Sequence, residues 1–260
     1  MSGGTSTMIY TVAFPKGGTT KTTTAAELIW TLAQRSRRVL AVDLDMQGTL
    51  TQRLGFTDAT EFNGTAADVL TARMTIEEAA TEAPDIEGVE VLVGQHDLSL
   101  VDVNSVDDLI TSLRDLLPDV ADRYDDVVID TPPAMSDLSI TGMAAAEYLI
   151  APVVCDVEAY TQVDYFESVI EKRLAPRINR GLKIGAIIPT RYDGRRLLDR
   201  ELVLTLREEY GESTKVTDPI REGIAARDAT RSAMPVGQYD PKSNPAKDYA
   251  RVFGSLIGEA

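Results

Sequence analysis

One stretch decides the fold of this chain: Phe14-Pro15-Lys16-Gly17-Gly18-Thr19-Thr20-Lys21-Thr22-Thr23-Thr24. The apolar, β-branched run at 8–14 before it is typical of a buried strand, and residues 25–33 after it continue as a helix. A strand, a glycine turn and a helix N-terminus in this order direct backbone N–H groups and the positive end of the helix dipole at one point. The stretch therefore predicts a phosphate cradle.

Each position of the cradle has an expected role. Lys21 would contact the β- and γ-phosphates of a nucleotide, and the Thr22 hydroxyl would ligate Mg²⁺. The alternative is a plain glycine turn with a threonine N-cap. On the first interpretation, the nucleotide-binding residues of the loop are Lys16, Gly17, Gly18, Thr19, Thr20, Lys21, Thr22 and Thr23.

Length and composition set limits on the class of protein. A chain of 260 residues fits one α/β domain over residues 8–260, preceded by a small, polar, flexible tail at residues 1–7. It has no apolar run of ~18 residues and no basic-then-apolar signal pattern, which predicts a cytoplasmic protein without a membrane span. The single cysteine, Cys155, excludes an internal disulfide, and the single histidine, His96, is expected in a surface loop.

Charge is distributed unevenly along a chain whose net charge is −15. Residues 40–160 contain 4 Lys and Arg against 25 Asp and Glu, whereas residues 161–231 contain 14 against 12. A polyanion is therefore expected to meet the later part of the chain or the glycine loop. A halophilic source would also explain the acidity.

Carboxylates follow two further predicted strands. Asp43 ends the predicted strand at 38–43, Asp45 lies two residues beyond it, and Asp130 ends the run at 126–130. The carboxyl ends of parallel strands are where open α/β sheets bind ligands. Beside a phosphate cradle, Asp45 becomes a candidate for positioning the attacking water, and Asp43 and Asp130 become candidates for the Mg²⁺ site. Taken alone, the first pair also fits a polar turn that caps the next helix.

Strands and helices alternate through the rest of the chain. Further strands are predicted at 89–94, 148–154 and 182–188, and helices at 105–124, 160–174 and 245–257. This alternation predicts a doubly wound, mostly parallel sheet with helices on both faces.

Three motifs occur in order along the chain: Lys16-Gly17-Gly18-x-x-Lys21-Thr22, Asp43-x-Asp45-x-Gln47-Gly48 and Val128-Ile129-Asp130-Thr131-Pro132-Pro133. Together they resemble the motifs of the ParA/MinD family of deviant P-loop NTPases, among which the small ParA-type partition ATPases fit best. The resemblance implies an ATP-dependent sandwich homodimer in which Lys16 reaches the partner's phosphates, so that Lys16, Lys21 and Asp45 carry catalysis. It also implies nonspecific DNA binding at the nucleoid, hydrolysis stimulated by a ParB-type centromere-binding protein, and a base pocket flanked by Thr190, Arg191 and Pro219.

Two departures from the family pattern put the hydrolysis rate in question. Thr20 stands where the family has glycine, and Met46 stands where it usually has proline. If the backbone at Thr20 is left-handed, a β-branched residue there costs on the order of 1–2 kcal/mol. If it is not, Thr20 adds a hydroxyl near the phosphates.

Two arginine stripes are the candidate DNA surface. Arg196, Arg200 and Arg207 fall on one helical face with Arg195 at its start, and Arg227 and Arg231 are four residues apart. Such stripes would contact phosphates without sequence preference. The interleaved acidic residues leave a salt-bridged, solvated face as the alternative.

Three functions remain open from the sequence. The first is a DNA-stimulated ATPase for plasmid or chromosome segregation. The second is a nucleotide-gated DNA-binding or scaffolding switch with little hydrolysis, and the third is a positioning ATPase for a protein cargo. A membrane anchor at the C-terminus is disfavoured, because residues 250–260 contain two glycines besides a single basic residue.

Overall fold

The computed structural model describes residues 7–101 and 108–258. Numbered along the chain, the strands are β1 (Met8–Val12), β2 (Val39–Asp43), β3 (Thr81–Glu82), β4 (Val89–Leu92), β5 (Asp126–Asp130), β6 (Tyr148–Val154), β7 (Ile184–Thr190) and β8 (Lys215–Val216). They form one sheet in the order β3-β4-β2-β5-β1-β6-β7-β8, in which β3 pairs antiparallel with β4 and all other pairings are parallel.

Helices connect the strands. They are α1 (Lys21–Ala33), α2 (Thr49–Arg53), α3 (Ala66–Leu70), α4 (Ile76–Ala79), α5 (Leu109–Leu116), α6 (Asp137–Ala145), α7 (Val157–Val169), α8 (Leu197–Tyr210), α9 (Ile224–Arg231), α10 (Val236–Tyr239) and α11 (Asn244–Ile257). A π-helical turn, Ile170–Leu174, extends α7.

The sheet is buried on both faces. Along β5, Val128 packs in one apolar cluster with residues of α1 and α11, while Val127 and Ile129 pack in another with residues of α5. A third cluster places β6 and β7 against α7. Alternate strand residues thus face opposite helical layers, which confirms the predicted doubly wound, mostly parallel architecture.

The strand register brings the sequence motifs to one edge. Asp43 at the end of β2 lies opposite Asp130 at the end of β5, and Asp130 lies opposite Val12 at the end of β1. The glycine loop follows β1 directly. We call this edge, at which the parallel strands end, the carboxyl edge.

The structure shifts several predicted boundaries. The helix expected at 105–124 is α5 followed by a 3₁₀ turn at Leu117–Val120, since Pro118 cannot continue the α-helical hydrogen bonding, and residues 105–107 lie outside the described ranges. The strand expected at 182–188 begins and ends two residues later, as β7. The helix expected at 160–174 begins earlier, because Asp156 caps α7 by accepting a hydrogen bond from the Ala159 N–H.

The two ends of the chain are tied to the sheet layers where they are described. The hydroxyl of Thr7, predicted as part of a flexible tail, lies within hydrogen-bond distance of the Ala121 and Tyr124 carbonyl oxygens, 2.7 and 2.8 Å away. Residues 1–6 of that predicted tail lie outside the described ranges. At the other end, α11 buries Tyr249 and Phe253 against the layer that contains α1.

Candidate active site

The glycine loop leaves an open space at the N-terminus of α1. Gly18 has φ +72°, in the left-handed region that favours glycine, and a Cβ added there would meet no described neighbour within 4 Å. The first N–H groups of α1 and its dipole favour an anion at this point. This geometry fits the phosphate cradle predicted from the sequence.

Thr20 resolves one question that the sequence left open. Its backbone is left-handed, with φ 66° and ψ 18°, so the strained alternative applies. It forms no side-chain capping hydrogen bond with α1, although it occupies the N-cap position. Its hydroxyl instead lies 3.0 Å from the hydroxyl of Thr190, which ties the glycine loop to the end of β7.

The Lys21 side chain is folded into the loop. It is 6% exposed, and its ammonium donates a hydrogen bond to the Lys16 carbonyl oxygen at 3.0 Å. Burial lowers the pKa of Lys21, while Asp130 and Asp45 nearby act in the opposite direction. A buried ammonium with one backbone partner retains donors for phosphate oxygens.

Asp43 and Asp130 face one another but differ in their hydrogen bonding. The Asp43 carboxylate accepts from the Thr51 N–H and hydroxyl, at 2.9 and 2.8 Å, and from the Asp45 N–H at 3.1 Å. Both Asp130 oxygens are buried and have no hydrogen-bond partner within the described ranges. Burial, reinforced by the Asp43 charge, raises the pKa of Asp130. Asp43 therefore organises the turn after β2, and Asp130 is the carboxylate with free ligand positions.

This orphaned carboxylate is what a cation site requires, since a buried charge without a partner is costly. The Thr22 hydroxyl lies close enough to Asp130 to lower its pKa, without a hydrogen bond of normal geometry. The described residues hold no cluster of three or more metal-binding His, Cys, Asp or Glu side chains. A cation here would thus take further ligands from phosphate and water, as Mg²⁺ does in nucleotide sites, and would neutralise phosphate charge.

Asp45 lies just beyond the end of β2. It is half-buried, and one of its carboxylate oxygens accepts the Gln47 N–H at 3.0 Å, which leaves the other oxygen without a hydrogen bond among the described residues. The charge of Asp45 acts to raise the pKa of both Lys21 and Asp130, so the three groups lie near one another on the same side of the loop. This position fits the predicted role of orienting a water at the phosphates.

Lys16 points away from the cradle that Lys21 enters. Its ammonium lies 3.0 Å from an Asp156 carboxylate oxygen and 3.2 Å from a Glu158 oxygen, both at the start of α7. Burial alone would lower the pKa of Lys16, but these two carboxylates raise it above its ordinary value. The lysine is thus held at the carboxyl edge by carboxylates of its own chain.

A cavity of about 200 Å³ adjoins the glycine loop on the β7 side. Five of the residues predicted to bind nucleotide line it, namely Gly18, Thr20, Thr23, Thr190 and Arg191. Pro219, also predicted for the base pocket, is not among the lining residues. Sequence reasoning missed Arg221, Pro245 and Tyr249, which close the cavity from the β8 loop and from α11. Their spacing in the sequence does not indicate that they line this cavity, because they follow the glycine loop by about 200 residues or more and only the fold brings them close to it.

The predicted DNA-binding arginines divide into two groups. Arg195 is bound to Asp193 at 2.8 Å, Arg196 lies 3.4 Å from Glu222, and Arg227 lies 2.8 Å from the same Glu222. Arg200 and Arg231 are exposed and form no ion pair within the described ranges. Three of the five therefore already have carboxylate partners.

Known proteins are similar to this chain over most of its length. An AAA domain family model matches residues 7–184. The chain is 30% identical over 254 residues to the chromosome partitioning protein ParA of Caulobacter vibrioides, covering 96% of this chain and 93% of that protein. The structure of cobyrinic acid a,c-diamide synthase from Mycobacterium smegmatis, with bound ATP analog and magnesium, superposes with a TM-score of 0.81 at 28% identity, covering 96% and 94% of the two chains. The cell division ATPase MinD of Pyrococcus furiosus gives 0.79 at 25% identity, covering 97% and 99%.

The cradle and the buried carboxylate that faces it define a P-loop ATPase, with ATP as substrate and Mg²⁺ as cofactor. Within that class, the chain belongs to the ParA/MinD family.

Proposed function

We propose that this chain is a ParA-type partition ATPase. ATP closes two copies into a sandwich homodimer, the dimer binds DNA without sequence preference at the nucleoid in the cytoplasm, and a ParB-type centromere-binding protein stimulates hydrolysis. The outcome is segregation of a plasmid or chromosome.

The position of Lys16 carries this proposal. A glycine loop needs one lysine for the phosphates of its own nucleotide, and Lys21 already lies there. Lys16 lies at the carboxyl edge in contact with Asp156 and Glu158, from which it can move to a second copy of the chain. A second lysine so placed is available to the phosphates of a partner copy.

Exposed apolar side chains at the same edge support the dimer. Val157, Leu197 and Ile224 are the first residues of α7, α8 and α9, and they are 54%, 60% and 77% exposed. Met46, beyond β2, is 41% exposed. Apolar groups gathered at one edge favour a partner that covers them.

The chain's own residues would divide the work of hydrolysis. Lys21 and the N–H groups of α1 bind and orient the phosphates, and Asp130 with Thr22 holds the cation. Asp45 orients the attacking water. Lys16 of a partner copy would stabilise the charge that develops on the phosphate in the transition state.

An ATPase titration tests the proposal. Steady-state phosphate release is measured with increasing nonspecific duplex DNA, with and without the product of the adjacent gene. The proposal predicts stimulation of hydrolysis that requires both DNA and the gene product, and salt-sensitive retention of DNA that is stronger with ATP than without it. ATP-independent turnover that neither DNA nor the gene product changes would contradict it.

Thr20 favours a second candidate function, a nucleotide-gated DNA-binding switch with little hydrolysis. Its strained backbone and its hydroxyl bond to Thr190 restrain the loop next to Lys21. Such a switch would bind ATP and DNA in the same titration but would release no additional phosphate.

A further inference from the structure

Residues 172–183 contain five basic side chains and no acidic one. All five are exposed, and none forms an ion pair or a side-chain hydrogen bond within residues 7–101 and 108–258. We call this set the basic segment; it consists of Lys172, Arg173, Arg177, Arg180 and Lys183. Unpaired cations at this density stand out on a chain with a net charge of −15.

The basic segment accounts for the positive excess of the later part of the chain. Residues 161–231 contain 14 Lys and Arg against 12 Asp and Glu, and without the segment 9 remain against the same 12. The predicted arginines Arg195, Arg196 and Arg227 lie outside it and are bound to Asp193 or Glu222. A phosphate would have to displace those carboxylates, whereas the cations of the segment are free.

The basic segment lies at the opposite end of the sheet from the ATP site. It joins the π-helical end of α7 to the start of β7, and Thr190 at the other end of β7 lines the nucleotide cavity. A strand of seven residues separates the two ends by about 20 Å. The segment is therefore a surface of its own, separate from the catalytic machinery.

The backbone of the basic segment is fixed although its cations are free. The Asn179 side-chain amide donates to the Ala144 and Ala146 carbonyl oxygens at 3.2 and 2.8 Å, and Arg114 donates to the Ile178 carbonyl at 2.9 Å. The segment is thus anchored to the C-terminal end of α6 and to α5. An anchored backbone lowers the entropy that binding would cost.

The surroundings of these cations identify the partner. The bulky apolar side chains Ile170, Leu174 and Leu182 are buried, and residues 170–183 have no exposed large hydrophobic residue. A protein interface has an apolar or aromatic core, and a membrane-surface helix inserts apolar side chains, so neither partner fits. The phosphate backbone of a nucleic acid needs only exposed Lys and Arg.

Interaction with the helix dipole explains only part of this pattern. Lys172 and Arg173 lie in the last turn of the α7 extension, where positive charge is favourable. Arg177, Arg180 and Lys183 follow that helical end and gain nothing from it.

We propose that the basic segment is a second DNA-binding surface, which contacts phosphates whether or not ATP is bound. The identity of the nucleic acid as DNA rests on the proposed function. In this arrangement the surface that binds DNA in response to ATP lies near the carboxyl edge. The basic segment of each copy gives the nucleotide-free protein weak, salt-sensitive binding to DNA.

The test measures binding of a fluorescent duplex of arbitrary sequence by the full chain without nucleotide, over a range of salt concentrations. Five phosphate contacts give a slope of log affinity against log salt of about −4.5, and three give about −2.7. The double variant Arg177→Glu/Arg180→Glu should make the slope shallower, from about −4.5 to about −2.7, and should weaken DNA binding at least about tenfold. The matched control is Lys242→Glu/Lys247→Glu, which makes the same charge change at two exposed lysines of the described surface without ion pairs.

Each outcome decides the proposal. Loss of binding in the first double variant but not in the control supports it, and thermal melting confirms that both variants fold. Equal DNA binding by both double variants overturns it. The proposal is also overturned if Arg177→Glu/Arg180→Glu loses binding to phosphatidylglycerol vesicles while its DNA binding is unchanged. The proposed function fails separately, if DNA retention by the wild type does not respond to ATP.

Discussion

The ammonium of Lys16 lies 3.0 Å from a carboxylate oxygen of Asp156 in the same chain. The same oxygen of Asp156 accepts the Ala159 N–H at 2.6 Å and so caps α7. Asp156 thus joins the glycine loop to the helix that follows β6. If Lys16 is to reach a partner's phosphates, its contact with Asp156 has to break. The ion pair within one chain would then compete with formation of the dimer.

Asp156→Asn is expected to favour ATP-dependent dimerisation. Asparagine keeps an oxygen for the cap but lacks the charge that holds Lys16. Because a half-exposed ion pair contributes about 0.2–1 kcal/mol, the dimer dissociation constant should fall by about 1.4- to fivefold for each of the two pairs that no longer has to open. Sedimentation velocity with an ATP analogue measures this constant, and Glu171→Gln, in the first turn of the α7 extension, is the control. A weaker dimer in Asp156→Asn would show that the pair does not compete.

Asp130→Asn is expected to separate stability from ligand binding. The substitution removes a buried carboxylate without partners, so the nucleotide-free protein should be at least as stable as the wild type. Affinity for the Mg²⁺ complex of an ATP analogue should fall about tenfold or more. Calorimetric titration with and without Mg²⁺ measures this effect. Equal losses in both conditions would mean that Asp130 does not hold the cation.

Glu27 of α1 is a buried carboxylate that the mechanism does not use. It is 1% exposed and accepts hydrogen bonds from the Val236 and Gly237 N–H groups. Burial raises the pKa of Glu27 to about 7, although those two N–H groups and Arg53 act in the opposite direction. The folded protein therefore retains this proton up to a higher pH than the unfolded chain, whose glutamate has an ordinary pKa.

The pH dependence of stability follows from this shift. Between the unfolded pKa, near 4.5, and about 7 the folded state binds the extra proton, so the free energy of unfolding falls as pH rises through this window. The integrated loss is about 3 kcal/mol. Urea denaturation from pH 5 to 8 should show a smaller fall in Glu27→Gln than in the wild type, because the raised pKa of Asp130 contributes a fall that remains in the variant. Parallel curves for the two proteins would refute the assignment.

The bond between Thr20 and Thr190 can be measured through matched substitutions. Thr20→Val keeps the shape but removes the hydroxyl, which leaves Thr190 without this partner, and should cost about 1 kcal/mol of unfolding free energy. Thr20→Ser keeps the hydroxyl, removes the β-branch that strains this left-handed position, and should be at least as stable as the wild type. Urea denaturation of both variants provides the comparison. If the valine variant is as stable as the serine variant, the hydroxyl bond contributes nothing.

Much of the fold followed from local patterns in the sequence. The apolar runs that end in Asp43 and Asp130 are strands, and the glycine loop between β1 and α1 stands where the periodicity indicated. These features are predictable because a buried parallel strand and a glycine turn each depend on residues adjacent in the chain. The sequence erred where one residue interrupts a periodic run, as Pro118 does after α5.

The parts of the site that depend on long-range contacts were not predictable. Tyr249 of α11 lines the cavity beside the glycine loop, and its hydroxyl lies 3.2 Å from that of Thr24. The pairing of Arg195 with Asp193 and of Arg227 with Glu222 removes charges that a helical-wheel argument counts as free. Side-chain partners of this kind are determined by packing, which the spacing of residues along the chain does not encode.

The most direct test of the central claim, that ATP closes two copies of this chain around a hydrolytic site, is the light-scattering mass of Asp45→Ala with Mg²⁺ and ATP. If Asp45 positions the attacking water, its loss should lower turnover by about 100-fold or more, so that the ATP state persists during the measurement. The account predicts about twice the 28.3 kDa chain mass with ATP, and the mass of one chain with ADP or when Lys16→Ala is added. A mass of 28.3 kDa under all these conditions, or unchanged turnover in Asp45→Ala, would contradict it.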